Sequence, residues 1–245
     1  MPDYPHGYSM PCSFPQYPPP PYTIGRVVGM NYIGVTTDEI ARSLVPSPLV
    51  PNGRQQLWIY SVDMTIIQPL EVRYHEIGLV MPVDGELGEG LFSVALFLDK
   101  SLPVTIGREI WGFPKRIADH IELTAAEECH TTRLAHEGQV WLEGSFQQTE
   151  QSTRVPGGAT KRLVTHRVMP SGERQRPALS QLIGLDWNLQ EEIRWAAADA
   201  QLTLQFPGDS RLSALNDMTI AKAWYSESAG CVLAPGEVLR DYLVE

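Results

Sequence analysis

The stretch Gly107-Arg108-Glu109-Ile110-Trp111-Gly112-Phe113-Pro114-Lys115-Arg116 sets a lysine behind two aromatic residues and a proline. The chain has only four lysines, Lys100, Lys115, Lys161 and Lys222. An ammonium surrounded by apolar groups loses hydration, and beside Arg116 it also meets a like charge. Both effects favour the neutral amine, which is a nucleophile. Such an amine attacks a ketone to give a Schiff base, and the protonated imine then withdraws electrons from a neighbouring bond. Periodicity alone offers a plainer account, in which Lys115 lies on an exposed turn and Trp111 and Phe113 are ordinary core residues.

The same ten residues resemble the signature around the Schiff-base lysine of acetoacetate decarboxylases: Gly-Arg-Glu, two or three variable residues, an aromatic, then Pro-Lys-Lys. The lysine of that family is itself the standing example of an amine activated by desolvation or a neighbouring cation. Further landmarks follow in the family's order from about residue 22 to 243. They are Leu44-Val45-Pro46-Ser47-Pro48-Leu49, Tyr74-His75-Glu76-Ile77-Gly78 with Pro82-Val83, Phe97-Leu98-Asp99, Leu215-Asn216-Asp217, and Val238-Leu239-Arg240-Asp241-Tyr242-Leu243. The resemblance implies a mainly β fold, an antiparallel cone-like barrel or double sheet with a few short helices. It also implies a solvent-poor pocket holding the lysine, no cofactor, and a homo-oligomer of four subunits or more.

Site roles follow from the resemblance, residue by residue. Lys115 would be the nucleophile, and Glu76 would move protons or orient the intermediate; the bland account of Glu76 is a carboxylate paired with an arginine. Arg26 is the candidate partner for a substrate carboxylate, since a guanidinium matches that shape with two hydrogen bonds. Phe97, Trp111 and Phe113 would wall the pocket, or equally be plain core. The chain departs from the family's pattern in three places. Ser61 stands where a second acid is usual, fifteen residues before Glu76, with Asp63 two residues on. Arg116 replaces the second lysine and would keep a cation at the pocket. Arg26 matches the family's arginine only with a one-residue shift onto Val27, and such a slip in a strand reverses the face. Decarboxylation of a β-keto acid and hydration, dehydration or aldol chemistry on a 2-oxo acid therefore stand side by side, both run through one imine or enamine. Outside enzymes, a β-barrel that only binds a small hydrophobic ligand would show the same strands and aromatics.

The elements that must position these residues read as strands. Residues 57–67, 91–98, 132–135, 139–147, 161–169, 194–206 and 218–225 are β-branched or aromatic-rich runs separated by turn residues, with His136-Glu137-Gly138 as one turn. Strands in such succession, without long helices between them, predict an antiparallel barrel or sandwich. Thr36-x-x-Glu39 has the form of a capping box for a helix over about 37–45, stopped by Pro46. Short helices are expected near 178–185 and 209–215. Eight prolines fall within residues 1–21, so this segment is read as an extended arm strapped to the body, followed by one domain over 22–245.

Composition narrows the partners. A formal net charge of -10 argues against nucleic acid and anionic membranes, because the summed field repels polyanions. Cys12, Cys129 and Cys231 are odd in number and widely spaced, which suits reduced thiols in a cytoplasmic protein. No run of eighteen apolar residues and no signal-peptide pattern is present. The six histidines form no HxH, HxxxH or HExxH spacing, so no metal is expected. Gly85, Gly88 and Gly90 fit neither dinucleotide nor P-loop motifs. The expected ligand is a small keto acid.

Overall fold

A computed structural model of the chain describes residues 8–155 and 161–244. Strands dominate, and they run in the order β1 (Tyr22–Val35), β2 (Val50–Pro51), β3 (Gln56–Gln68), β4 (Val72–Asp84), β5 (Gly90–Leu98) and β6 (Lys115–Ile117). There follow β7 (His120–Ala126), β8 (Cys129–His136), β9 (Gln139–Val155), β10 (Lys161–Pro170) and β11 (Pro177–Trp187). The last four are β12 (Glu192–Leu204), β13 (Thr219–Ser228), β14 (Cys231–Leu233) and β15 (Glu237–Asp241). All are joined in one sheet, whose main path is β15-β11-β10-β5-β4-β3-β1-β13-β12-β9-β8-β7, with β14 on β1, β2 on β4 and β6 on β5. The mainly antiparallel β architecture is as expected. Two pairings are parallel, β10 with β5 and β5 with β6, and the second of these carries Lys115.

Side chains alternate across each strand, so a single continuous sheet builds two separate cores. One contains Met30, Tyr32, Leu57, Ile59, Ile77, Leu79, Phe97, Trp141 and Phe146. The other contains Val27, Val62, Met64, Tyr74, Leu96, Leu98, Trp111 and Phe113. Neighbouring residues of one strand therefore serve different cores, which decides where each candidate side chain can act.

The helices are few. Helix α1 (Asp38–Leu44) is capped by Thr37, whose hydroxyl accepts from the Ile40 backbone N–H at 3.2 Å; the cap is one residue later than the Thr36 box predicts. Residues 177–187, where a short helix is expected at 178–185, form β11 instead. Its buried residues fall on both faces, Ser180 and Leu182 on one and Ile183 and Leu185 on the other, as fits a strand flanked by β10 and β15 and covered on both sides. A 3-10 turn spans Arg211–Leu215. Helix α2 (Ser101–Ile106) runs directly into a π-helical turn, Gly107–Trp111, which ends at Gly112 with φ 77°. Within the described part of the proline-rich segment, Ser9 and Tyr17 are buried, and the Tyr17 hydroxyl donates to Glu109. The arm thus rests on the turn that leads to Lys115.

Candidate active site

The glycine, arginine and acid of the Gly-Arg-Glu stretch each have a distinct mechanical task around Lys115. At Gly107 a Cβ would lie 2.6 Å from Lys115 Cδ and 2.8 Å from Cε, so only glycine lets the lysine stem lie against the backbone. Arg108 donates from Nη1 to the Lys115 carbonyl at 3.0 Å. Glu109 accepts from Tyr17 of the arm. Pro114 has no N–H to offer, and its carbonyl accepts from Leu96 at 3.1 Å, which docks β6 on β5 in register, Leu96 opposite Lys115.

Lys115 Nζ lies 3.0 Å from Glu76 Oε2, with both side chains less than a tenth exposed. The contact is an ion pair by distance but lies outside hydrogen-bond alignment, so Oε2 has no hydrogen bond of its own. The other carboxylate oxygen, Oε1, accepts from the Tyr60 hydroxyl at 2.8 Å. Burial and the Glu76 carboxylate together hold the Tyr60 and Tyr74 phenols well above their usual range, so both are neutral donors at any physiological pH. The rings of Phe113 and Tyr74 stand 5.3 and 5.6 Å from Nζ and exclude water from it.

The spacing of Tyr74, Glu76 and Gly78 has a geometric cause. Alternation turns all three to the same face of β4, opposite Met64, Val62 and Tyr60 of β3. A Cβ at Gly78 would meet the Tyr60 ring at 2.2 Å, so glycine there makes room for the phenol that orients Glu76. Tyr60 is a site residue that sequence reasoning missed, because its approach to Glu76 depends on strand register.

These groups open on a cavity of about 90 Å³ whose walls include Val27, Val62, Met64, Phe113 and Leu163. Among its described lining residues Lys115 is the single cation. A wider recess of about 470 Å³ adjoins it, sharing Trp58 and Leu91 and bearing Arg54, Arg162 and Arg194. Trp111 and Lys115 both line a smaller adjoining void, and the Trp111 indole donates to the Ala234 carbonyl at 3.0 Å.

Four candidates lie elsewhere. Arg26 is exposed and pairs with Glu227 at 2.7 Å, while Val27, the next residue on β1, faces the cavity. Arg116 follows Lys115 on a strand and so points the opposite way, into solvent, where it pairs with Glu137 at 3.1 Å. It supplies no cation to the pocket; the charge beside Lys115 is the anion Glu76. Phe97 is buried in the other core, 5.6 Å from both His136 and Trp141. Ser61 also faces that core, 2.6 Å from Thr132 Oγ1, since Tyr60 and Val62 take the cavity side. Asp63 does not replace it, being held by Arg73, whose hydrogen bonds keep the carboxyl below the usual range. Lys115, Glu76, Trp111 and Phe113 are the candidates that come together.

Among the described residues no group of three histidine, cysteine or acidic side chains is placed to hold a metal ion. The three cysteines are unpaired thiols. No helix among them is long and apolar enough to cross a membrane.

The profile of the acetoacetate decarboxylase family matches residues 7–243. The chain belongs to this family. It is 30% identical over 145 residues to acetoacetate decarboxylase 3 of Mesorhizobium japonicum and 37% identical over 116 residues to acetoacetate decarboxylase of Ralstonia nicotianae. These alignments take in 54% and 45% of this chain and 46% and 44% of the relatives, so the chain matches under half the length of either. In three dimensions the likeness runs almost end to end. The acetoacetate decarboxylase crystal structure from Legionella pneumophila superposes with TM-score 0.76 at 22% identity, covering 97% of this chain and 95% of that one. The enduracididine biosynthesis enzyme MppR, complexed with a condensation product of pyruvate and imidazole 4-carboxaldehyde, superposes with TM-score 0.80 at 18% identity, covering 96% and 97%. At these identities the structures establish the shared fold.

Proposed function

We propose that this family member is a lyase that forms a Schiff base between Lys115 and the ketone of a small keto acid, with decarboxylation of a β-keto acid as its reaction. The observation that carries the proposal is the buried Lys115–Glu76 contact at 3.0 Å, with Tyr60 on the far oxygen of the carboxylate. A pair so buried is poor evidence of stabilisation, because desolvation offsets the attraction. A barrel that merely bound a hydrophobic ligand would have no use for it.

Glu76 Oε2 lies within proton-transfer reach of Nζ, so it can take the proton that must leave before the amine attacks. The nitrogen lone pair then bonds to the ketone carbon, the carbonyl oxygen departs as water, and a protonated imine remains. When the bond to the carboxylate breaks, its electron pair flows into the imine, giving carbon dioxide and an enamine. A proton returned to carbon, with Glu76 as the donor, and hydrolysis of the imine complete the cycle. The apolar side chains around the amine favour this outcome over retention of the carboxylate, since no second cation among the described lining residues stabilises the anion and its loss as a neutral gas relieves the desolvation.

A second reading, hydration, dehydration or aldol chemistry on a 2-oxo acid, uses the same amine and acid. It is supported by Ser61 facing away from the cavity, which leaves the family's second acid unreplaced on β3, and by the pyruvate adduct of the similar fold of MppR. Assaying carbon dioxide release from acetoacetate, beside consumption of pyruvate with an aldehyde, distinguishes the two. Gas evolution that vanishes in Lys115→Ala supports the first reading; condensation without gas evolution replaces it with the second.

A further inference from the structure

Opposite the amine, the cavity wall turns polar again. Four strands run side by side there, β3, β1, β13 and β12. Their registers put Tyr60, Asn31 and Trp224 in one row and Met64, Val27, Ser228 and Glu192 in another. Asn31, Glu192, Ser226 and Ser228 all line the cavity that holds Lys115.

The hydrogen-bonding capacity of this group is only partly used. Asn31 is spent: its amide donates to Ser226 Oγ at 3.0 Å and to the Gly29 carbonyl at 3.3 Å, and its oxygen accepts from the Trp58 indole at 3.1 Å. Glu192 Oε2 accepts from Arg194 Nη2 at 2.7 Å, and the carboxylate is only 11% exposed. Its Oε1 has no hydrogen bond among the described residues. The Ser228 hydroxyl, directly opposite Glu192 in register, is buried with no hydrogen-bond partner among the described residues. A buried hydroxyl without a partner carries a desolvation penalty, so such groups in folded proteins call for an explanation. The open capacity is one group that can both donate and accept, beside one oxygen that can accept.

We propose that Glu192 and Ser228 form a second polar pole of the cavity, which binds a hydroxyl group carried by the substrate at the end remote from its ketone. Ser228 donates to the hydroxyl oxygen, and Glu192 Oε1 accepts a hydrogen bond from the hydroxyl; because Glu192 is already paired with Arg194, the two side chains together carry no net charge, which suits a neutral group. Glu192 is four strand steps from Glu76, about 19 Å along a flat sheet at the usual strand spacing and less along a curved one. Acetoacetate, with one methylene between ketone and carboxylate, leaves that pole unmet. The preferred substrate is thus a longer, distally hydroxylated keto acid. This inference rests on the Schiff-base reading for the identity of the reacting end only.

The test compares 3-oxooctanoate with its ω-hydroxy derivative in turnover, and octanoate with ω-hydroxyoctanoate in calorimetric binding, which needs no imine. The wild type is expected to favour the hydroxylated member of each pair by about tenfold or more. Ser228→Ala, which removes an unpartnered group and keeps the fold, is expected to bring both ratios close to one, and Glu192→Gln to reduce them. Equal values for the wild type, or a preference that Ser228→Ala leaves intact, would overturn the proposal. Failure of the Schiff-base reading looks different, with neither keto acid turned over by any variant while the calorimetric preference persists.

Discussion

Lys115 Nζ and Glu76 Oε2 face each other at 3.0 Å across the junction of two strands that are not neighbours, β6 and β4, with β5 between them. The parallel pairing of β5 with β6 brings Lys115 level with Leu96, and Leu96 is opposite Gly78, two residues from Glu76. The acid is thus held by the pairing of β4 with β3 on one side and β5 on the other, and the amine by the Arg108 contact and the glycine beneath it. Replacing Glu76 with Gln keeps the shape and removes the base. Turnover is expected to fall by about 10²–10⁴, the usual worth of a positioned general base, while steady-state kinetics and thermal unfolding together separate this from misfolding.

Gly107→Ala tests the lysine's bed. The added methyl would sit 2.6 Å from Lys115 Cδ, so the stem must move, and an amine displaced by about 1 Å costs on the order of 10²-fold in rate. The same substitution overpacks a buried contact and is expected to lower stability by about 1–3 kcal/mol. A variant as active as the wild type would show that the lysine does not act from this position.

Tyr60→Phe removes the hydroxyl that holds Glu76 Oε1. A hydrogen bond to a charged group is worth about 1.5–3 kcal/mol, so kcat is expected to drop about tenfold or more. Because the phenol stays neutral throughout the working range, the acidic limb of the pH–rate profile should move with this substitution, whereas a mere packing defect would lower the profile without moving it.

Arg26→Ala and Arg116→Ala should each leave kcat/KM within about fivefold of wild type, since both residues form exposed ion pairs worth about 0–1 kcal/mol. A loss of a hundredfold in either would mean that the guanidinium reaches the substrate.

Stability should depend on pH through three histidines. Burial holds His130, His136 and His166 below the ordinary histidine range. A group whose folded value is depressed binds fewer protons in the native than in the unfolded chain, so stability rises with pH across that window. The stabilisation is complete above about pH 6.5, the unfolded value, and is lost as pH falls through the folded values. Thermal midpoints measured between pH 7.5 and 5 should therefore decline, and His136→Phe, which suits the aromatic contacts with Phe97 and Trp141, should flatten the decline.

Much of this was legible in the sequence, in proportion to how local each feature is. Strands such as 57–67 and 91–98 follow from their β-branched and aromatic runs bounded by turn residues, and the turn at Glu137-Gly138 from its residue types. Lys115, Trp111 and Phe113 stand in one short motif, so their proximity needs no tertiary knowledge. Strand alternation also holds the information that sends Arg116 away from Lys115 and Ser61 away from Tyr60, but only once the face turned to the cavity is known. That face is fixed by pairings between β1, β3, β4, β5 and β6, which no local pattern specifies. The same limit hid Tyr60, Glu192 and Ser228, whose meeting in one cavity depends on strands far apart in the chain. Residues 178–185 failed for another reason: a short apolar run fits a helix turn and a buried strand equally well until its neighbours are known.

The central claim is that the Lys115 amine bonds covalently to a keto acid. Sodium borohydride added to the protein in the presence of acetoacetate, and separately of pyruvate, reduces any imine to a stable secondary amine, and peptide mass mapping locates it among four lysines. The expected result is a single adduct on Lys115 with at least one of the two acids, lost in Lys115→Ala. Protein left unmodified by both acids and by longer 3-oxo acids, or modified at Lys100, Lys161 or Lys222 while Lys115 stays free, would contradict it.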